Sequence, residues 1–194
     1  MKSKIKYLVI AVFSLLFLTT TIFPHCDSIN GPVVKAAKKA LETGNVNYVL
    51  IWVQSKDEKE IRDIFDRTMK VRILNKDARE LADNYFFETV VRIHRMGEGV
   101  GYTGLRTADY KPEKGIEAAD IAIENNSVDD ILANLNEEQH AKVKDLFSDL
   151  LTKRDFNVDN IDAGRKYVAA YVYFIHYVEA LYNNGTPESG NHHH

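Results

Sequence analysis

The sequence predicts an all-α fold, a helical bundle built from two similar halves related by a pseudo-twofold axis. Apolar residues recur at three- and four-residue spacing over long stretches, as in amphipathic helices. Neither half shows the sustained alternation typical of strands, or a hairpin signal such as Asn-Gly between alternating runs. Residues 36–94 also match residues 118–176 without a gap, at a constant offset of 82. Together these observations predict one helical domain with an internal duplication.

The internal match includes charged, apolar and aromatic positions in one frame. Agreement across such different residue types at a single offset indicates duplication rather than coincidence. The identical pairs include Ala36/Ala118, Leu50/Leu132, Phe65/Phe147, Tyr85/Tyr167, Ile93/Ile175 and His94/His176.

The first helix of each half is predicted from its end signals. Proline is tolerated in a first helical turn, so a helix begins at Pro32, and Gly44 is the residue type that closes helices. A short apolar piece, 46–53, follows it. The equivalent segments of the second half run from Pro112 to Asn125 and Asn126, and over residues 128–135.

Two further helices complete each half. Ser55 and Glu58 have the spacing of a capping box, which predicts a helix opening there and running through Met69. The longest predicted helix of the first half covers about 76–96. Their counterparts in the second half are residues 137–153 and 159–182.

The glycine-rich connection between the halves is predicted to be a link. Gly99, Gly101 and Gly104 have the spacing of a dinucleotide-binding fingerprint. That fingerprint must leave a strand and open a helix, whereas here it follows a long helix and enters a polar stretch. We therefore expect a flexible link over residues 97–111 and no nucleotide site.

Both chain ends are predicted to lie outside the folded domain. Three lysines, at positions 2, 4 and 6, precede the apolar stretch 7–23, a pattern typical of a signal peptide over residues 1–24. The stretch is short for a membrane span, so we expect a secreted protein cut between Thr19 and His25. The expected folded domain is 25–185, followed by a disordered tail, 186–194, whose three final histidines resemble an expression tag.

The net charge of the exported chain disfavours two classes of binding partner. Without the three lysines of the signal peptide, 22 basic residues remain against 28 acidic ones, a net charge of about −6. This balance argues against nucleic acid as a partner and against stable association with anionic membranes after export.

Cys26 is the only cysteine, so no disulfide within the chain is possible. In an oxidising compartment a lone cysteine pairs with another chain, reacts, or binds a metal ion. Pairing with another copy of the chain predicts a homo-oligomer joined through Cys26. A plain free thiol near the chain start is the remaining alternative.

The first predicted metal site is the run His25, Cys26 and Asp27. Imidazole, thiolate and main-chain nitrogens on neighbouring residues suit square-planar nickel or copper. The run resembles the N-terminal hook of nickel superoxide dismutase, a secreted helical bundle, and Gly31 also matches that pattern. The resemblance implies redox chemistry. The positions of the hook's proline, second cysteine and tyrosine are here Ile29, Asn30 and Val33.

The second candidate site is the pair of duplicated histidines. Each has a carboxylate one turn later: Glu98 follows His94, and Glu179 follows His176. A pseudo-twofold axis would bring such equivalent residues together, as in bundle metal sites. The alternative is that both histidines are ordinary core or interface residues. His140, among charged neighbours, is expected to be solvated.

The exported part is similar to an uncharacterised family of small secreted bacterial and archaeal helical proteins. That resemblance implies export and the helical fold, and it brings no activity. It rests on residues 25–27, 31–37, 85–88, 92–95, 97–99, 102–105 and 174–179.

The sequence therefore predicts a secreted helical protein that binds nickel or copper. The most specific version of this prediction is superoxide dismutase-like redox chemistry. His25, Cys26 and Asp27 carry the site, and His94 or His176 completes it. The alternative is a non-catalytic extracellular binding or structural module.

Overall fold

The computed structural model describes residues 25–183, apart from the side chain of His25. The predicted signal peptide, 1–24, and the predicted tail, 186–194, lie outside the described residues. Within the described part the regular structure is helical, with eight α-helices forming a bundle, which confirms the predicted all-α class.

The first half contains four α-helices in chain order. They are α1 (Pro32–Thr43), α2 (Asn47–Leu50), α3 (Glu58–Val71) and α4 (Lys76–Gly97). The second half contains α5 (Lys114–Asn125), α6 (Asp129–Leu132), α7 (Glu137–Arg154) and α8 (Ile161–Tyr182). Two single turns of 3-10 helix, His25–Asp27 and Ser55–Asp57, precede α1 and α3.

The two halves repeat the same order of helix lengths. The first half has helices of 12, 4, 14 and 22 residues, and the second has 12, 4, 18 and 22. The helices α1 and α5 end before residues with a positive φ, Gly44 at 72° and Asn126 at 54°. Glycine and asparagine are the residues that tolerate this conformation best. An origin of the two halves by duplication stays a prediction.

Each half is organised around its longest helix. The helix α4 packs against α1 and α3, and α8 packs against α5 and α7. Because these long helices are covered from two sides, the apolar side chains on their covered faces are buried, and Phe86 and Phe174 are both fully inaccessible to solvent. Each ring packs on an aromatic partner from a neighbouring helix, Phe65 and Phe147 respectively. The fully buried core also contains Leu50, Ile61, Ile116, Ile131 and Leu150.

Arg165 on α8 joins the two halves. Its guanidinium donates to the backbone oxygens of Leu50 and Val53, at 3.3 and 3.1 Å, and to the Glu58 carboxylate at 2.7 Å. The acceptor at Leu50 is a carbonyl at the end of α2, which has no partner within its own helix. One buried cation therefore ties the end of α2 and the start of α3 to the second half.

The predicted capping box at Ser55 and Glu58 is wrong. Ser55 lies in a 3-10 turn, and no side chain caps α3. The physical reason is that the Glu58 carboxylate accepts from Arg165 instead of turning back to the helix start. A capping box does form in the second half, between Asn136 and Gln139 at the start of α7.

The link between the halves covers the N-terminal turn. The predicted link, 97–111, begins in the structure at residue 98, because α4 includes Gly97. The backbone N–H of Arg106 donates to the Asp27 carbonyl at 2.8 Å, and the Ile29 N–H donates to the Arg106 carbonyl at 3.0 Å. The link therefore also covers the N-terminal turn.

None of the helices in residues 25–183 combines the length and the apolar character that a bilayer span requires.

The tight contact of Gly164 with the first half yields a stability prediction. A Cβ at this position would lie 2.3 Å from Ile51 Cγ2 and 2.9 Å from Phe156 Cε2. We expect Gly164→Ala to lower the free energy of unfolding by about 2 kcal/mol, since overpacking outweighs the better helix propensity of alanine. Urea unfolding followed by circular dichroism measures the change.

Gly101→Ala is the matched control, because its Cβ would meet nothing within 4 Å. Its effect should stay within about 0.5 kcal/mol. Adding Ile51→Ala, which deletes the clashing methyl group, should reduce the cost of Gly164→Ala. Equal stability of wild type and Gly164→Ala would show that this contact does not fix the two halves.

Candidate functional site

A buried polar cluster lies where the N-terminal turn meets the end of α4. Solvent reaches 1% of Asp27 and His94, 3% of Arg95 and 8% of Cys26. Charged groups are seldom buried to this extent unless they are paired. We define the buried polar cluster by five residues: Cys26, Asp27, His94, Arg95 and Glu98.

The last turn of α4 and the residue that follows it supply three members of the cluster. His94 and Glu98 are one turn apart, and Arg95 lies three residues before Glu98. The end of a helix carries partial negative charge, so it favours a cation such as the Arg95 guanidinium. Val90, Val91 and Ile93, all buried, hold this turn against the core.

Arg95 is the cation that faces both acidic members. Its Nη1 lies 2.9 Å from Glu98 Oε2, and its Nε lies 3.3 Å from Asp27 Oδ1. The contact with Asp27 lacks hydrogen-bond geometry, and both Asp27 carboxylate oxygens are without a hydrogen-bond partner. Buried carboxylates nearly always accept hydrogen bonds. The side chain of Asp27 is therefore incompletely satisfied within the described residues.

Burial raises the pKa of Asp27 from 3.8 to about 6. The positive charge of Arg95 opposes this shift, the negative charge of Glu98 adds to it, and Arg106 opposes it. The desolvation of the carboxylate outweighs the two cations, because neither donates a hydrogen bond to it.

His94 is held in one orientation by the backbone. Its Nδ1 lies 2.8 Å from the carbonyl oxygen of Trp52, which can only accept, so Nδ1 carries a proton. Its Nε2 then faces Glu98 Oε1 at 3.4 Å. The Trp52 ring also contacts the imidazole edge to face, with centroids 5.8 Å apart. This arrangement, Nδ1 on a carbonyl and Nε2 turned to a ligand position, is typical of metal-binding histidines.

The Cys26 thiol is buried among acidic groups. Burial raises its pKa well above 9.0, and the carboxylates of Glu98, Asp27 and Asp120 raise it further, while Arg95 lowers it. A thiol with a raised pKa is protonated at neutral pH and is a poor nucleophile. In this arrangement Cys26 is neither exposed nor activated.

The second predicted pair, His176 and Glu179, forms on α8. His176 Nδ1 lies 2.7 Å from Glu179 Oε2, and the His176 side chain is about a quarter exposed, at 27%. Burial raises the pKa of Tyr110 in the link; the positive charge of Arg106 opposes this rise, and the negative charges of Glu113, Glu179 and Asp27 add to it. The link touches the first site through the backbone bond from Arg106 to Asp27.

The described residues contain no group of three or more His, Cys, Asp or Glu side chains arranged to hold a metal ion. Cys26, Asp27, His94 and Glu98 nevertheless belong to one cluster, while His176 and Glu179 form a separate contact. The side chain of His25 lies outside the described residues. The positive charge between Asp27 and Glu98 is the Arg95 guanidinium in this arrangement.

Sequence reasoning missed four residues of this region. They are Trp52, Arg95, Asp120 and Tyr171, and the Tyr171 hydroxyl donates to Asp120 Oδ1 at 2.9 Å. A sequence signal existed for Arg95, since it is a charged residue directly beside His94 on an apolar helix end. Asp120 offered none, because nothing in α5 indicates that α8 and the N-terminal turn approach it.

His140 is also placed differently from the expectation of a solvated side chain. It is half-buried, and its Nε2 lies 3.2 Å from the carbonyl oxygen of Leu135. The chain bends back at the start of α7, so the carbonyl preceding the helix comes within reach of the imidazole.

The raised pKa of Asp27 predicts a stability profile for metal-free protein. The folded state holds the Asp27 proton up to about pH 6, whereas an ordinary aspartate releases it near 3.8. Stability should therefore fall as pH rises from about 4 to about 6, by up to about 3 kcal/mol. Asp27→Asn should remove this part of the slope. Urea unfolding at several pH values, with a chelator present, measures it.

Asp66→Asn is the control, because Asp66 is an exposed aspartate on α3. Its profile should follow wild type. A wild-type profile that keeps its slope in Asp27→Asn would contradict the assignment to Asp27.

Comparison with known proteins gives a family and no activity. Neither the curated proteins nor the solved structures contain a match to this chain. A family of unknown function, DUF6448, matches residues 30–177, a span that includes His94, Glu98 and His176. The predicted similarity to an uncharacterised family is thereby confirmed, and the resemblance to the nickel superoxide dismutase hook stays a prediction. With most of its length matched, the chain belongs to the DUF6448 family.

Proposed function

We propose that this protein binds a divalent nickel or copper ion at the buried polar cluster. Cys26 and His94 supply sulfur and nitrogen, and Asp27 and Glu98 supply carboxylate oxygens. The observation that carries the proposal is Asp27, whose two buried carboxylate oxygens have no hydrogen-bond partner. A cation would satisfy them, and thiolate and imidazole are ligands that nickel and copper favour.

The orientation of His94 supports the same site. Its Nδ1 proton is held by the Trp52 carbonyl, which turns Nε2 towards Glu98. Such second contacts fix a histidine for coordination and raise the basicity of the ligand nitrogen.

Arg95 explains how the protein tolerates these acidic groups without an ion. Its guanidinium pairs with both Asp27 and Glu98, so its one positive charge offsets part of their negative charge. An incoming ion would take over this charge balance, so binding requires the Arg95 side chain to move away from Asp27. The Cys26 thiol would lose its proton on coordination, as metal-bound thiols do.

A more specific version of the proposal is that the bound ion has redox activity of the superoxide dismutase type. A site with a single thiolate, imidazole and carboxylates would hold copper or nickel at a different potential from a site with two thiolates. The alternative function is a non-catalytic extracellular module in which the same cluster is a structural ion-pair network.

Metal titration tests the site. In a background where His192, His193 and His194 are alanine, calorimetry with nickel(II) and with copper(II) should give one tight site per chain. Cys26→Ser should weaken it by about tenfold or more, since an alcohol is a much poorer ligand than a thiolate. Affinity should fall steeply below about pH 6, because thiol and imidazole must both lose protons.

His140→Ala is the control histidine, and its affinity should equal that of the background. His94→Gln should weaken binding as Cys26→Ser does. If His94→Gln binds like the background, the ion is held by the N-terminal turn alone and the cluster assignment is wrong. If Cys26→Ser binds like the background, the metal proposal fails and the non-catalytic module replaces it.

We also propose that the chain is exported and cut between Thr19 and His25. The basic start and short apolar stretch support this, and a cut before His25 would add a terminal amine to the ligands. Intact-mass measurement of protein from the culture medium should show the loss of about the first 20 to 24 residues. Recovery of the full chain from membranes would contradict export.

A further inference from the structure

The link lies over the N-terminal turn but adds no fully buried side chain to the core. Every residue of the range 98–113 is exposed or half-buried, whereas Cys26, Asp27 and Ser28 on the covered side are buried. Segments with few buried apolar contacts open at a lower free-energy cost than the core does. The link is therefore the less stable partner in this contact.

A few hydrogen bonds close together in the chain hold the link to the turn. The Arg106 N–H donates to the Asp27 carbonyl, the Ile29 N–H donates to the Arg106 carbonyl, and Ser28 pairs with Arg106 in a parallel bridge. The side-chain amide of Asn30 adds a bond of 3.4 Å to the carbonyl oxygen of residue 108. On the link these bonds all start or end within residues 106–108, so they can break together.

The part of the link that precedes these bonds is fixed to α4 instead. The Val100 N–H donates to the Arg95 carbonyl at 3.0 Å, and the Tyr102 hydroxyl donates to the Glu88 carboxylate. Gly104 follows, with a φ of 104°, a conformation that residues with a Cβ rarely adopt. Gly104 therefore separates the part of the link that is fixed to α4 from the part that pairs with the turn.

The turn itself gains less from being covered than a well-satisfied segment would. Both buried carboxylate oxygens of Asp27 lack a hydrogen-bond partner among the residues that the structure describes, and Arg95 approaches one of them at 3.3 Å without hydrogen-bond geometry. A buried polar group without hydrogen bonds is unfavourable, and water satisfies it on exposure. Exposure of the Asp27 carboxylate would therefore offset part of the free energy lost when the link detaches.

We propose that residues 104–111 of the link form a gate over the N-terminal turn, and that this gate opens while the helical bundle stays folded. Opening breaks the bonds from residues 106–108 to the turn, so the turn loosens and the Cys26 thiol meets solvent. The gate thus controls the access of small thiol-reactive molecules to the buried polar cluster. It is a property of the metal-free fold, so a failed metal titration would leave it unaffected.

Alkylation of Cys26 measures the opening, because this is the only cysteine and it is 8% exposed when the gate is closed. Chelator-treated protein is incubated with iodoacetamide, and intact mass follows the label. Native protein should react more slowly than urea-unfolded protein, yet faster than its global unfolding equilibrium allows. The rate should change little in low urea, since a small opening exposes little surface.

Gly104→Ala tests the gate directly. A Cβ at this position would meet nothing within 4 Å, so the substitution strains the closed link through its φ alone. We expect the labelling rate to rise by about tenfold. Gly101→Ala is the matched control in the same link, because its Cβ also meets nothing within 4 Å and its φ is not positive. Its labelling rate should equal that of wild type.

Gly44→Ala separates opening of the gate from global unfolding. Gly44 also has a positive φ, 72°, and open space around its Cβ, but it follows α1, outside the link. This substitution should destabilise the whole fold and leave the labelling rate unchanged. Equal acceleration by Gly44→Ala and Gly104→Ala would overturn the gate, as would an unchanged rate in Gly104→Ala. A wild-type rate that rises with urea as steeply as global unfolding, or native protein that is not labelled, would also overturn it.

Discussion

The contact of Arg95 with Asp27 and Glu98 is the interaction on which the rest of this region depends. The Arg95–Asp27 contact joins the N-terminal turn to the end of α4, and the two residues are 3% and 1% exposed, respectively. Burying an ion pair brings a desolvation cost that its mutual attraction often does not recover. The cluster is therefore weak evidence for stability, although it fixes how the N-terminal turn meets the end of α4.

The fold class was predictable because helical periodicity and end signals are local. Pro32, Gly44 and the long apolar stretches predict helices whose observed bounds lie within a few residues of expectation. The capping box at Ser55 failed because its glutamate is used by Arg165, more than a hundred residues away. A local pattern cannot reveal a competing partner that the tertiary fold supplies.

The candidate site was predictable only in part, for the same reason. His94 and Glu98 are one turn apart, so their proximity follows from helix geometry. The approach of Cys26 and Asp27 depends on the link folding back over the chain start, which no local signal encodes. His176, at the matching position of the second half, is more exposed than His94. Its neighbours also differ: at the offset of 82, Asn134 stands where the first half has Trp52, and Tyr177 where it has Arg95.

The backbone bonds between Arg106 and the 27–29 segment have a consequence for the order of synthesis and folding. The cover of Cys26 comes from residues about seventy to eighty positions later in the chain. Until that part has emerged, the thiol has no shelter from solvent. In a chain threaded start-first into an oxidising compartment, the cysteine would meet oxidants and foreign thiols before its own protein can enclose it. In such a chain, the rate at which the first half and the link close would determine what fraction of molecules keeps an intact thiol.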